Sequence, residues 1–139
     1  MTVCFFAARR LHQEYFSKVA SALQHHDVPA TVLWHKDLWK NPSWLLLLPA
    51  TLMDPGLKPV IDDLVREKRV RHNHSGLWWS LFRLLKRFES SLLLAIYQHS
   101  LHRAGGKSPG RLMVIWNGLK YRQRIATHAA LRLGIQPVF

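Results

Sequence analysis

The most constraining feature of this sequence is a strand–helix–strand pattern near its start. Residues 2–8 form an apolar run without polar alternation, which is typical of a strand covered on both faces. Apolar residues then recur at helical spacing over residues 11–23, and residues 30–34 are rich in β-branched and aromatic side chains. The pattern predicts a βαβ unit whose first strand lies at the centre of a parallel sheet.

The end of the chain repeats this plan. Residues 111–116 predict an apolar strand, and residues 119–133 predict a helix that Gly134 ends as a C-terminal cap. A further strand is expected to begin at Gln136. For a chain of 139 residues, the two units together predict one domain over residues 1–139, a three-layer, Rossmann-like α/β fold with a parallel sheet.

The middle of the chain is less regular. Four prolines interrupt residues 35–75, so we expect loops and a short strand or turn near residues 45–48, followed by a helix over residues 59–71. Residues 77–101 carry apolar side chains at spacings of three and four, which predicts one long helix or two abutting ones. Charged side chains near the middle of this segment argue against a membrane span, because they are costly in lipid.

Charge is the main compositional signal. The chain carries 20 Lys and Arg against 8 Asp and Glu, a formal net charge of +12, and no acidic residue follows Glu89. The basic side chains must face water, phosphate or the acidic groups of a partner, so a solvated basic face and a binding surface are both open. The single cysteine, Cys4, excludes an intramolecular disulfide, and we therefore expect a reducing compartment, the cytosol.

The apolar segment 77–101 also fits a helix that lies on a membrane surface. This interpretation predicts peripheral contact with anionic lipid. The residues expected to make the contact are aromatic and basic: Trp78, Trp79, Arg83, Lys86 and Arg87. Nucleic-acid binding through the same residue types is less favoured, because most aromatic residues lie at core-facing positions and no RRM, KH or helix-turn-helix signature is present.

The turn formed by Asn117 and Gly118 is the most informative local feature. It falls where a parallel strand ends and a helix begins, which is where ligands collect in open α/β sheets. Asn117 can cap the helix through its side chain, and Gly118 lets a ligand approach the backbone closely. The two residues therefore predict either an anion site or a helix cap alone.

Basic residues recur at every fourth position of the last predicted helix: Lys120, Arg124, His128 and Arg132. Lys120 and Arg122 lie near its N-terminus, where cations oppose the helix dipole. An anionic ligand would offset this repulsion. Ordinary exposure to water is the alternative explanation for the stripe.

No metal site is expected from the residues. The chain has nine histidines, but the close pairs His25 with His26 and His72 with His74 lack a cysteine or paired carboxylates at ligand spacing. No HExxH, CxxC, P-loop, GxGxxG or GxSxG motif occurs, and the carboxylates identify no general base.

Residues 114–124, with the sequence VIWNGLKYRQR, resemble a motif of the capsule polysaccharide biosynthesis and export family, whose members include bacterial β-Kdo transferases. The first βαβ unit is similar to the same family in plan. The resemblance implies a GT-B glycosyltransferase architecture of two Rossmann-like halves that face each other across a cleft. It also implies a CMP-activated sugar acid as donor and a lipid-linked saccharide as a binding partner.

The resemblance covers the N-terminal half of such a transferase. The acidic, glycine-containing motif and the His-Pro motif of the other half are not in this sequence, so we expect the chain to be inactive alone and to need a C-terminal half. The residues carried over as cleft-lining candidates are Asn117, Gly118, Arg122 and Arg124. The resemblance thus implies a cytoplasmic protein of surface polysaccharide biosynthesis, peripheral at the inner membrane. A non-catalytic basic module that binds nucleic acid or anionic lipid is the alternative.

Overall fold

Four parallel strands form one sheet at the centre of the molecule. The computed structural model describes residues 1–105, 110–117 and 120–139. The strands are β1 (Thr2–Ala7), β2 (Ala30–Trp34), β3 (Arg111–Ile115) and β4 (Gln136–Val138), and their order in the sheet is β2-β1-β3-β4. The prediction of a parallel α/β fold with a central first strand is therefore confirmed.

Strand β1 contributes to the core on both of its faces. All six of its residues are buried, which explains why its sequence lacks polar alternation. Val3 and Phe5 belong to one apolar cluster, whereas Cys4 and Phe6 belong to a second and larger one. The sheet thus separates two cores, and β1 supplies residues to each of them.

Helices cover both faces of the sheet. Helix α1 (Arg10–His25) packs on β1 and β2. On the opposite face, α4 (Gly76–Gly105) packs on β1, and α5 (Tyr121–Arg132) packs on β3 and β4. The short α2 (Leu48–Leu52) and α3 (Leu57–Arg71) pack in turn against α4. The architecture is three-layered and Rossmann-like.

The middle of the chain differs from the prediction in two ways. Of the two alternatives near residues 45–48, the short strand is wrong, because this segment consists of 3-10 helices at Leu38–Lys40 and Pro42–Leu47 that lead into α2. A 3-10 helix is a succession of tight turns, so the other alternative describes the segment better. An apolar run of four residues has no readable period, so the sequence does not distinguish these states. Helix α3 also begins two residues earlier than expected, since Pro59 fits the first turn, where its missing N–H has no helical partner.

Helices α1 and α5 end in the same way. After α5, Gly134 has a φ of 69°, its N–H donates to the Leu131 carbonyl, and the Ile135 N–H donates to the Ala130 carbonyl. This pair of bonds is a Schellman motif, which requires a left-handed residue at that position. After α1 the left-handed residue is Asp27, with a φ of 59°. The predicted stop at Gly134 is confirmed, whereas the stop at Asp27 uses a residue with an unfavourable backbone preference.

Candidate functional site

The strand order reverses between β1 and β3. Strand β1 connects through α1 to β2 on one side, and β3 connects through α5 to β4 on the other side. In open parallel sheets, ligands bind in the crevice outside the carboxyl ends of the strands at such a switch point. The fold itself therefore marks one place for a ligand.

A cleft of about 520 Å³ lies at this switch point and is called the switch-point cleft below. Its described lining comes from the residues after β1, the turn after β3, the first turn of α5 and the outer side of α3. These residues are Ala8, Arg9, Leu64, Glu67, Lys68, Asn117, Lys120, Tyr121, Arg122 and Gln123. Three separate parts of the chain thus meet at the cleft.

The lining of the switch-point cleft is strongly cationic. Among its described residues, four are cations and Glu67 is the only carboxylate. The cations Arg9, Lys68, Lys120 and Arg122 are exposed, and within the described parts of the chain none of them forms an ion pair. The first turn of α5 adds backbone N–H groups and the positive end of a helix dipole. The arrangement suits an anion.

Asn117 lies in the cleft but does not cap α5. The helix begins at Tyr121, and its N-cap residue is Lys120, whose backbone N–H donates to Gln123 Oε1 at 3.3 Å. The expectation of an Asn117 cap is therefore wrong, because the chain takes three more residues to enter the helix. Asn117 instead adopts a φ of 56°, a left-handed conformation that asparagine tolerates better than most residues. Gly118 lies outside the described residues.

Arg122 lies close to a buried polar pair beneath the carboxyl ends of the strands. Tyr97 Oη is 2.8 Å from His35 Nδ1, and the backbone N–H of His35 donates to the Ala7 carbonyl at the end of β1. Burial, followed by the charge of Arg122, lowers the pKa of His35 to about 4, and burial raises the pKa of Tyr97. His35 is thus neutral at pH 7 and shares one hydrogen bond with the Tyr97 hydroxyl. This pair offers no negative charge to Arg122.

Arg124 is held outside the switch-point cleft by an ion pair. Its Nη1 lies 2.6 Å from Asp63 Oδ2 on α3. His128 and Arg132, farther along the same helix, both contact the buried carboxylate of Asp54, at 3.1 and 2.7 Å. Arg124 and Arg132 thus form ion pairs, and His128 adds a contact to the Asp54 carboxylate. These contacts fasten α5 to α3 and to the turn before α3, which neither of the two sequence-based explanations anticipated.

Two cations of the cleft were not singled out from the sequence. Arg9 follows β1 almost directly, so the rule that selected the end of β3 would also have selected the end of β1. Lys68 lies on α3, and no local signal connects it to the strand ends. Its place in the cleft depends on how α3 packs against α5.

The residues expected to contact lipid occupy different environments. Trp79 is only 5% exposed and belongs to the core, whereas Trp78 is 40% exposed. Each of the three cations is bonded within the protein: Arg83 to Asp62, Lys86 to Glu89 and Arg87 to the carbonyl oxygens of Leu52 and Asp54. Trp79 is therefore not available to a lipid surface, because the helical period turns it inward. Within the described residues, no helix combines the length and hydropathy that crossing a membrane requires.

No metal-binding group is found in the parts of the chain that the structure describes: nowhere do three or more His, Cys, Asp or Glu side chains come together in a way that could hold an ion. The described lining of the switch-point cleft supplies four cations, one carboxylate and the polar side chains of Asn117, Tyr121 and Gln123. In comparisons with known proteins, no family model, no characterised protein and no solved structure matches this chain significantly.

Proposed function

We propose that the protein binds an anionic, phosphate-bearing ligand in the switch-point cleft. The observation that carries the proposal is the lining itself: its described residues include four cations and one carboxylate, gathered at the switch point of a parallel sheet. Placing like charges together costs free energy unless a ligand of opposite charge compensates them. A bound phosphate would accept hydrogen bonds from the cations and from the first turn of α5.

The resemblance of residues 114–124 to capsule polysaccharide biosynthesis proteins narrows the ligand to a CMP-activated sugar acid. On this proposal, the chain is the N-terminal half of a Kdo-type glycosyltransferase of the GT-B class. It binds part of the substrate and has no transferase activity without the other half. The described cleft residues support a binding role, since they supply cations and polar side chains to an anionic ligand.

Titration calorimetry with CMP, a CMP-activated sugar acid and inorganic phosphate tests the proposal. We expect wild type to bind the nucleotide, and Arg122→Ala to weaken binding by about tenfold, because a charge-assisted hydrogen bond contributes roughly 1.5 kcal/mol. Lys18→Ala is the matched control: it also removes one exposed cation, but from α1 and outside the cleft. It should leave the affinity unchanged.

Asn117→Asp is the sharper variant. Aspartate also tolerates the left-handed conformation at this position, so the turn should persist while a carboxylate enters the cleft. We expect binding of an anion to weaken by about tenfold through like-charge repulsion. If wild type binds none of the three ligands, or if Lys18→Ala and Arg122→Ala behave alike, the cleft is not an anion site. Tighter, salt-sensitive binding to an oligonucleotide would favour the nucleic-acid alternative instead.

A further inference from the structure

Helix α4 carries an unpartnered apolar stripe along its first three turns. The stripe consists of five large side chains that are each between 52% and 73% exposed: Leu77, Leu81, Leu84, Leu85 and Phe88. Their spacing of four, three, one and three residues places them on one face of the helix, over about 17 Å. Ser80, Arg83 and Arg87 lie along one edge of that face. We call this surface the leucine stripe.

The opposite face of α4 is also apolar, because it packs into the core through Trp79, Leu93 and Tyr97. Packing in the core therefore buries one of the two apolar faces of α4 and leaves the leucine stripe exposed. An exposed contiguous apolar patch of this kind marks a surface that contacts another apolar phase or molecule.

Cations border the leucine stripe. A groove of about 470 Å³ between α3 and α4 contains Met53, which is 81% exposed, together with Lys58, Arg83 and Arg87. The one carboxylate among its described lining residues, Asp62, is paired with Arg83. Near the N-terminal end of α4, the last turn of α3 adds the exposed cation Arg71, whereas Arg69 lies over the Trp79 ring, 5.4 Å from its centroid.

Charge decides which occupant fits this surface. A second copy of the chain would also carry a net charge of +12, and joining two stripes would bring their cationic borders together. An anionic lipid surface offers the opposite charge at the border and an apolar interior for the stripe. We propose that the leucine stripe and its cationic border bind the surface of anionic lipid bilayers.

In this arrangement α4 lies in the plane of the interface. The stripe enters the boundary between headgroups and acyl chains, while Lys58 and Arg71 stay at headgroup level. None of these residues lines the switch-point cleft, so the inference stands independently of the ligand proposed there.

Vesicle sedimentation tests this inference on the intact chain. We expect binding to phosphatidylcholine vesicles that contain phosphatidylglycerol, weaker binding as salt is raised, and little binding to phosphatidylcholine alone. Leu81→Glu and Leu84→Glu should each reduce the partition coefficient by about tenfold or more, because each variant loses the free energy gained when the leucine side chain moves from water into the bilayer. Leu11→Glu is the matched control, because Leu11 is 73% exposed on α1, across the sheet from α4.

Leu11→Glu should bind as wild type does, and all three variants should keep the wild-type melting temperature because the sites are exposed. Equal affinity for neutral and anionic vesicles, or equal loss in Leu11→Glu and Leu81→Glu, would overturn the inference. The inference would also be overturned if wild type did not bind vesicles but formed a dimer that Leu81→Glu dissociates. That result would assign the stripe to contact with a second copy of the chain. Arg122→Ala should still bind vesicles, so that failure of the cleft and failure of the stripe are distinguishable.

Discussion

Asp54 is a buried carboxylate whose charge should contribute measurably to stability. Its side chain is 3% exposed and accepts hydrogen bonds from the Gly56 N–H at 2.8 Å and from Arg132 at 2.7 Å, while His128 lies 3.1 Å away. The carboxylate thereby joins the turn before α3 to α5. Burial by itself raises the pKa of Asp54, but Gly56, His128 and Arg132 outweigh it, so the pKa lies below its ordinary value.

Asp54→Asn keeps the shape and the bond from Gly56 but removes the charge. A hydrogen bond to a charged group contributes about 1.5–3 kcal/mol and a neutral one about 0.5–1.5 kcal/mol. Because Arg132 is 49% exposed and water can replace part of its contact, we expect a loss of about 2 kcal/mol at pH 7. For a chain of this length, that corresponds to a fall of roughly 6 °C in melting temperature.

Urea unfolding followed by tryptophan fluorescence measures this loss as a shift in midpoint at constant slope. Asp37→Asn is the control, since Asp37 contacts Lys40 at 3.0 Å but is 52% exposed, and its pair should contribute less than about 0.5 kcal/mol. The pKa of Asp54 is lower in the folded than in the unfolded state, so its contribution exists above the unfolded value of 3.8 and is lost as pH falls through the folded value. The difference in free energy of unfolding between wild type and Asp54→Asn should therefore decrease below about pH 4. The reasoning would be refuted if Asp54→Asn lost no more stability than Asp37→Asn, or if the difference in free energy of unfolding between wild type and Asp54→Asn did not change with pH.

Three further predictions concern two backbone positions and a buried histidine. Asp27→Gly should raise the free energy of unfolding by about 0.5–1 kcal/mol in thermal unfolding, since glycine removes the cost of a left-handed residue. Gly134→Ala should lower the free energy of unfolding by about 1 kcal/mol, because alanine is disfavoured in a left-handed conformation. An added Cβ meets nothing within 4 Å, so a much larger loss would contradict the explanation by backbone conformation alone. His35 has a pKa of about 4 when folded against 6.5 when unfolded, so only the unfolded state gains its proton as pH falls between these values, and wild type should lose stability there. His35→Gln should make the free energy of unfolding less dependent on pH in this range. If the slope is unchanged, other groups cause the loss of stability.

The strands were predictable because burial on two faces leaves a local mark. Residues 2–8 and 111–116 were predicted as strands, and the structure ends each one residue earlier, at Ala7 and Ile115. A run of apolar residues bounded by polar ones needs no knowledge of its neighbours to be recognised. Residues 35–75 lacked such a mark, because prolines and short apolar runs are compatible with several local structures.

The candidate site was only partly predictable, for a different physical reason. The turn after β3 was identified from its position alone, but the roles of the cations on α5 depend on distant carboxylates. Arg124 pairs with Asp63, 61 residues earlier, and Arg132 pairs with Asp54, 78 residues earlier. A stripe of cations looks the same in sequence whether it faces water, a ligand or the protein's own acids. Tertiary packing determines which of these three the cations contact.

The central position of β1 also has a consequence for how the chain reaches its fold. Thr2 pairs with Arg111, so one side of the first strand has no partner until more than a hundred further residues exist. At ordinary synthesis rates that interval is on the order of 10 s, during which an apolar strand presents an open edge. Pairings of such long sequence separation also slow folding, because the loop must close before the contact forms. The strand that organises the finished sheet is therefore the one most exposed to mispairing and aggregation while the protein is being made.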